Sequence, residues 1–191
     1  MHEAIEGAAE GVLPEWAVAG PERRAHMARV TELLDGWATG LGLADADRTR
    51  WRSVGYLHDA LRDEDADRLR ERLPPSLRTL PGPLLHGPAA AERMRIGGVL
   101  DGELLRAVAH HTVGDAAFGT LGRALYAADF LEPGRAFLPE WREGLRARMP
   151  EQLDAVVYEI VRARLAHLVE RGMGVLPGTV EFWNRLVAER S

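Results

Sequence analysis

Trp51-Arg52-Ser53-Val54-Gly55-Tyr56-Leu57-His58-Asp59 is the stretch that decides the fold class. Trp51, Val54, Leu57 and Leu61 recur at helical spacing, so residues 45–61 read as a helix with one apolar side, capped by Asp45 or Asp47. His58 lies seven and four residues after Trp51 and Val54 and continues their stripe, with Asp59 beside it. A helix of this kind carries an imidazole and a carboxylate into a core. The dipeptide alone recurs by chance, so its weight depends on the rest of the chain.

Outward from that segment the pattern stays helical. Residues 21–40 open on Pro21 and close near Gly40, with Val30, Leu33 and Trp37 on one face. A short polar helix is expected over 65–73, stopped by Pro74-Pro75, and a long irregular loop runs from Pro74 to Gly87. Helical patterns resume at about 88–97, 101–111, 120–132, 140–148, 150–171 and 179–190. No repeat, strand alternation or separating linker interrupts them. The expectation is an all-α bundle forming a single domain over 1–191, with its core at about 21–190.

Composition narrows the function classes. A 191-residue chain with 46% apolar residues can bury a full core. No run approaches the roughly 18 apolar residues of a membrane span. The opening His2-Glu3-Ala4-Ile5-Glu6 lacks the basic and apolar portions of a signal peptide. With no cysteine, any metal must sit on nitrogen and oxygen ligands, and a cytoplasmic location is expected. The net charge of −5 argues against non-specific nucleic-acid binding. All 24 basic residues are arginine, so any phosphate clamp must be built from guanidinium groups.

The candidate ligands fall where patterning puts them inside. His26 lies four, seven and eleven residues before Val30, Leu33 and Trp37. Asp129 follows Leu125 and Leu121 by four and eight, so a carboxylate lands on an apolar stripe, costing several kcal/mol unless it is paired or binds metal. His86 precedes Gly87-Pro88 at an expected helix start. Of the pair His110–His111, His111 shares the inward face of Leu104 and Val108, whereas His110 lines up with Glu103 and Arg106 on the polar side. A lone histidine on an apolar face is more often a satisfied core residue than a ligand. Such residues spread over separate helices and all facing inward are not explained by amphipathic patterning. Imidazoles and carboxylates are the ligands that iron, manganese or zinc accept. His2, in an expected loose terminus, and His167, on a polar face, receive no role. The five tryptophans read as core or partner surface and not as nucleotide stacking.

From about Arg23 to Asn184 the chain resembles the YqeK-like family of HD-domain symmetrical dinucleoside tetraphosphatases. The resemblance rests on Arg23-Arg24-Ala25-His26, Gly55-Tyr56-Leu57-His58-Asp59, Leu85-His86-Gly87, His110-His111-Thr112-Val113-Gly114, and Pro177-Gly178-Thr179 with Asn184. Most specific is Ala127-Ala128-Asp129-Phe130-Leu131-Glu132-Pro133-Gly134-Arg135, which sets this branch apart from generic HD proteins. The resemblance implies an HD-domain helical bundle that cleaves diadenosine tetraphosphate into two ADP. It implies a dinuclear centre of two divalent metal ions, iron first, with manganese or another transition metal as substitutes. His26, His58, Asp59 and Asp129 would hold one ion, and His86 and His111 would join a bridging Asp59 on the second.

Arg62 and Arg135, each close in sequence to a ligand carboxylate, are expected to grip the polyphosphate. Asp59, Arg62, His110 and Thr112 are the catalytic candidates, with Arg62, Arg135, Thr112 and Gly114 contacting substrate. Arg62 stands where the family usually has lysine, exchanging a point charge for a planar fork. Val113 replaces the second threonine of the usual Thr-Thr-Gly. The same ligands would allow an HD phosphatase or phosphodiesterase acting on another nucleotide, a di-iron oxygenase, or a non-catalytic nucleotide-binding regulator. No membrane or nucleic-acid partner is expected, and a homodimer is compatible with the sequence.

Overall fold

Helices form wherever the chain offers apolar residues three and four apart, and prolines and glycines cut them. A computed structural model describes residues 1–190. Among the described residues there are ten α-helices and no strand: α1 (Glu3–Ala9), α2 (Pro21–Gly40), α3 (Asp45–Leu57), α4 (Ala66–Arg72), α5 (His86–Ile96), α6 (Gly102–His110), α7 (Thr120–Leu131), α8 (Pro139–Arg146), α9 (Leu153–Glu170) and α10 (Pro177–Ala188). Pro21, Pro139 and Pro177 each sit at a first helical position, where the missing N–H costs nothing. Asp65 caps α4 by accepting from the amides of Asp67 and Arg68, and Asp101 caps α6 through Leu104.

Three expectations change. The helix expected to reach residue 61 ends at Leu57, and residues 58–64 form successive turns. Neither Asp45 nor Asp47 caps α3: the N-cap is Ala44, and both aspartates lie in the first turn, where the helix dipole still favours them. The N-terminus is not loose. His2 caps α1 by accepting from the Ala4 amide, its Nε2 lies 3.0 Å from the Gly97 carbonyl, and Ile5 and Ala8 enter the core. The loop from Pro74 to Gly87 contains two short 3₁₀ turns, Pro75–Leu77 and Gly82–Leu84.

The core runs through Val30, Leu34, Val54, Leu57, Leu104, Val108, Leu121, Leu125, Val157, Ile160 and Phe182. Each such side chain contributes roughly 1.5–3 kcal/mol when fully buried. α7 is the central rod, touching α2, α3, α6, α8 and α9. Ala124, Ala127 and Ala128 on it are fully buried and short enough to let those neighbours approach.

Two glycines set the approaches that matter for the site. Gly55 packs α3 onto α2 so closely that a Cβ there would lie 2.4 Å from Thr31 Oγ1 and 2.8 Å from Thr31 Cα. Gly87 brings the start of α5 against the end of α6, where a Cβ would lie 2.8 Å from the Val108 carbonyl oxygen. Gly55→Ala must therefore push α3 off α2. Overpacking of this kind costs about 1–3 kcal/mol, which predicts a Tm about 3–10 °C lower by calorimetry for a chain of this size. An unchanged Tm would contradict the close approach.

Candidate metal centre

Six side chains from five separate elements meet beneath one pocket. His26 comes from α2, His58 and Asp59 from the end of α3, His86 from the start of α5, His111 from the end of α6, and Asp129 from α7. Both oxygens of Asp59 are engaged. Oδ1 lies 3.0 Å from His86 Nε2 and 3.4 Å from His111 Nε2. Oδ2 lies 3.6 Å from both His26 Nε2 and His58 Nε2, and 2.6 Å from Arg23 Nη1, which donates to it. Asp129 Oδ1 stands 3.2 Å from His26 Nε2. The carboxylate of Asp59 thus divides the cluster into two halves.

How the rings are held decides what they can do. His58 Nδ1 donates to the carbonyl of Gly55, His111 Nδ1 to Val108 and His86 Nδ1 to Pro83, at 2.8, 2.8 and 3.0 Å. Each partner is three residues back. His58 and His111 are helix C-caps, so the ring also satisfies a terminal carbonyl that the helix leaves open. His26 Nδ1 faces Glu132 Oε1 at 3.3 Å. With every Nδ1 so occupied, every Nε2 turns inward: His26 and His58 meet at 3.3 Å, His86 and His111 at 3.1 Å. Lone pairs aimed at one another and at a carboxylate over such distances need cations between them. The cluster fits divalent metal binding, through two overlapping sets whose ligand atoms lie within 4.8 Å of one another: His26, His58 and Asp129, and His58, Asp59 and His111.

Electrostatics agrees. Burial holds the His58 imidazole down to about 4, keeping its Nε2 lone pair free at neutral pH. Burial alone would raise the Asp59 carboxyl, but the imidazoles around it, His58 foremost, hold it well below the usual carboxylate range. Asp129 is likewise held low against burial, by His26 first. Burial also opposes a charge on His111, yet its hydrogen bond to Asp59 lifts it above its ordinary value.

Above the cluster lies a cavity of about 390 Å³, lined by Asp59, His86, His111, Thr112 and Asp129 and by five arginines, Arg23, Arg62, Arg135, Arg142 and Arg164. Arg62 reaches it with its Nη1 on the Pro83 carbonyl, and Arg135 donates to Asp129 Oδ1 at 2.6 Å. Thr112 Oγ1 lies 3.1 Å from His111 Nε2. Two expected site residues stand apart. His110 is half-buried outside the lining, 3.6 Å from Asp115 on the polar side of α6. Gly114 is likewise absent from the lining and packs against Phe182, whose ring would lie 2.2 Å from a Cβ at that position.

Sequence reasoning missed four residues. Arg23 was read only as part of a motif, though it lies one turn before His26. Glu132 both orients His26 and accepts from Arg29 Nε at 2.6 Å; its spacing of three from Asp129 was the available signal. Arg142 and Arg164 lie far from every motif, and only the fold brings them in.

A solved structure from Clostridium acetobutylicum, described as a "predicted HD superfamily hydrolase involved in NAD metabolism", superposes with a TM-score of 0.78 at 22% identity, covering 99% of this chain and 98% of that one. The fold is that of the HD hydrolases. In sequence, the chain is 28% identical to a protein of Staphylococcus aureus (86% of this chain, 87% of that one) and 28% identical to one of Bacillus subtilis (78% and 84%). A protein of Halalkalibacterium halodurans is 24% identical over 78% of this chain and 81% of its own length. All three are called symmetrical bis(5'-nucleosyl)-tetraphosphatase, and together these likenesses support the YqeK-like HD-domain family. No family model matches the chain.

The geometry separates the two adjacent histidines. Elemental analysis of anaerobically loaded protein should show metal lost from His111→Ala and retained in His110→Ala, and Asp59→Ala should lose metal from both halves. Retention of two ions per chain in Asp59→Ala would sink the shared role of that carboxylate. Because metal binds only the folded state, chelation should also lower the Tm of the unmodified protein.

Proposed function

We propose that this chain is a metal-dependent hydrolase that cuts diadenosine tetraphosphate, and related dinucleoside polyphosphates, symmetrically into two nucleoside diphosphates. One observation carries the reading: inward-facing Nε2 atoms gather about Asp59 at the floor of a pocket walled by five arginines, in a chain whose net charge is −5. An acidic protein that concentrates cations in one pocket is built to receive an anion. The names of the three relatives supply the substrate class.

His26, His58 and Asp129 with Asp59 Oδ2 would hold one divalent ion, and His86 and His111 with Asp59 Oδ1 a second; iron is the metal we favour. Bound there, such ions supply a water nucleophile of lowered pKa and offset charge on phosphate oxygens. The chain's own residues do the rest. Glu132 and the three backbone carbonyls keep the imidazoles in one tautomer and one orientation. Arg23 steadies Asp59 from the pocket side. Among the described residues Arg62 is bound only to a carbonyl, so its remaining N–H groups are available to a phosphate oxygen, where a charge-assisted bond strengthens as charge develops. Arg135 already pairs with Asp129 and reaches substrate from beside a metal ligand. Thr112 offers a hydroxyl next to His111 for positioning water or a leaving phosphate. Phosphoryl transfer of this kind needs placement and charge neutralisation more than covalent help. We place the protein in the cytoplasm, acting as one domain, a reading supported by the absence of cysteine; among the described residues no helix is long and apolar enough to cross a membrane.

Chromatography of the products at low conversion tests this. Diadenosine tetraphosphate should give ADP alone. ATP with AMP would overturn symmetrical cleavage, and released inorganic phosphate would mark a general phosphatase acting on other nucleotides. Arg62→Ala should lower kcat/KM by about 10-fold or more while metal content stays unchanged.

A further inference from the structure

Two helices reach the metal pocket without giving it a ligand. α9 lends Arg164 to the wall, and among the described residues no side chain of α10 lines the pocket. Pro177-Gly178-Thr179 opens α10 and so far has no part in the chemistry. Yet Thr179 is only 7% exposed, and its hydroxyl donates to the Val113 carbonyl at 2.8 Å, across 66 residues of sequence. Val113 lies two residues past His111 and one past Thr112, which lines the pocket.

The turn these residues form has little of its own to hold it. α6 ends at His110, and His111 caps it. The amides of Val113 and Gly114 both donate to the His110 carbonyl, and the chain turns away at Gly114 with φ at 84°. That arrangement uses the amides and leaves the carbonyls of Thr112 and Val113 without a backbone donor among the described residues. Each is taken by a side chain of a C-terminal helix: Arg164 Nη2 donates to Thr112 at 2.8 Å, and Thr179 to Val113. One turn further along α10, Phe182 packs so closely on Gly114 that a Cβ there would lie 2.2 Å from its ring. Phe182 is itself held edge-on by Phe118 and Tyr126. Residues 112, 113 and 114 are thus gripped from outside in succession, two of them by α10. Val113 does not line the pocket, so what this position gives the site is its carbonyl and not its side chain.

We infer that Thr179 is a positioning residue, holding the 112–114 turn so that the Thr112 hydroxyl stays beside His111 Nε2 at the metal pocket. A hydroxyl that places water or a phosphate must be kept within about 0.5 Å of its working position. A threonine just past a helix end gets no such precision from local structure. Fixing the next peptide plane supplies it. Thr179 belongs neither to the pocket lining nor to the ligand cluster and acts only through the backbone. The inference rests on the proposed hydrolysis, in which Thr112 positions water or a leaving phosphate.

Thr179→Val keeps the shape of the side chain and removes its hydroxyl. The metal-loaded variant should retain its metal and cut diadenosine tetraphosphate with kcat lowered about 10-fold, inside the roughly 100-fold that a 1 Å misplacement can cost, and KM within about 2-fold. Thr179→Ser keeps the donor and should recover most of the rate. A double-mutant cycle tells positioning from mere support. In a Thr112→Val background, where the hydroxyl is already gone, Thr179→Val should cost no more than about 2-fold. Hydrogen exchange of the metal-free protein is a readout independent of turnover: the Val113 and Gly114 amides should exchange faster in Thr179→Val, and those of α2 and α3 should not change. Unchanged kcat, loss of metal, full multiplication of the two losses in the double variant, or exchange that is unchanged at 113 and 114 or faster throughout, would each overturn the role of Thr179 while sparing the proposed function. If the unmodified protein leaves diadenosine tetraphosphate uncut, the proposed function falls and this role with it.

Discussion

One carboxylate organises this molecule. Asp59 sits 4% exposed with two imidazoles before each oxygen and a guanidinium on Oδ2. Removing a carboxylate from water costs several kcal/mol unless compensated, and no single neighbour here could compensate it. The compensation comes from α2, α5 and α6 at once. That requirement sets how closely these helices approach, and Gly55 lets α3 approach α2 while Gly87 lets α5 approach α6 where an alanine would keep them apart.

Much of this was legible beforehand, and the reason is chemical. Ionisable residues on apolar stripes contradict local patterning, so His26, His58, His111 and Asp129 each announce themselves without any knowledge of the fold. The adjacent histidines separate by a simple 100° argument, since His111 shares the face of Leu104 and Val108 and His110 does not. Less legible were features that depend on ends and on distance. α3 stops at Leu57 because the chain must turn there to present His58 and Asp59 together, and nothing in residues 58–61 breaks a helical pattern. α1 went unseen because a seven-residue helix has no stability of its own; it forms because Ile5 and Ala8 find a core that other segments build. Arg142 and Arg164 look like ordinary amphipathic surface until α8 and α9 lie beside α7.

The all-arginine composition acquires a structural meaning at this site. Guanidinium groups stay charged in surroundings that would neutralise an ammonium, and their planar faces stack. Arg142 over Phe130 and Arg164 over Tyr126 use both properties. The same groups bind carbonyl oxygens at their own level, Arg164 to Thr112 and Arg142 to Phe137, so these two members of the cationic wall are braced by backbone, whereas Arg23 and Arg135 pair with the carboxylates of Asp59 and Asp129. A net acidic chain thereby keeps one cationic pocket.

The tethering of His58, His86 and His111 to carbonyls three residues back has an entropic side. Each ring loses its rotational freedom when its own turn forms, as part of folding, and has little left to lose when an ion arrives. Capture of an ion would then be a matter of shedding water and displacing protons, with hardly any rearrangement of the protein. Such an ion would gain no slack from these side chains: it would have to accept the spacing that helix ends dictate, with the backbone itself as the gauge.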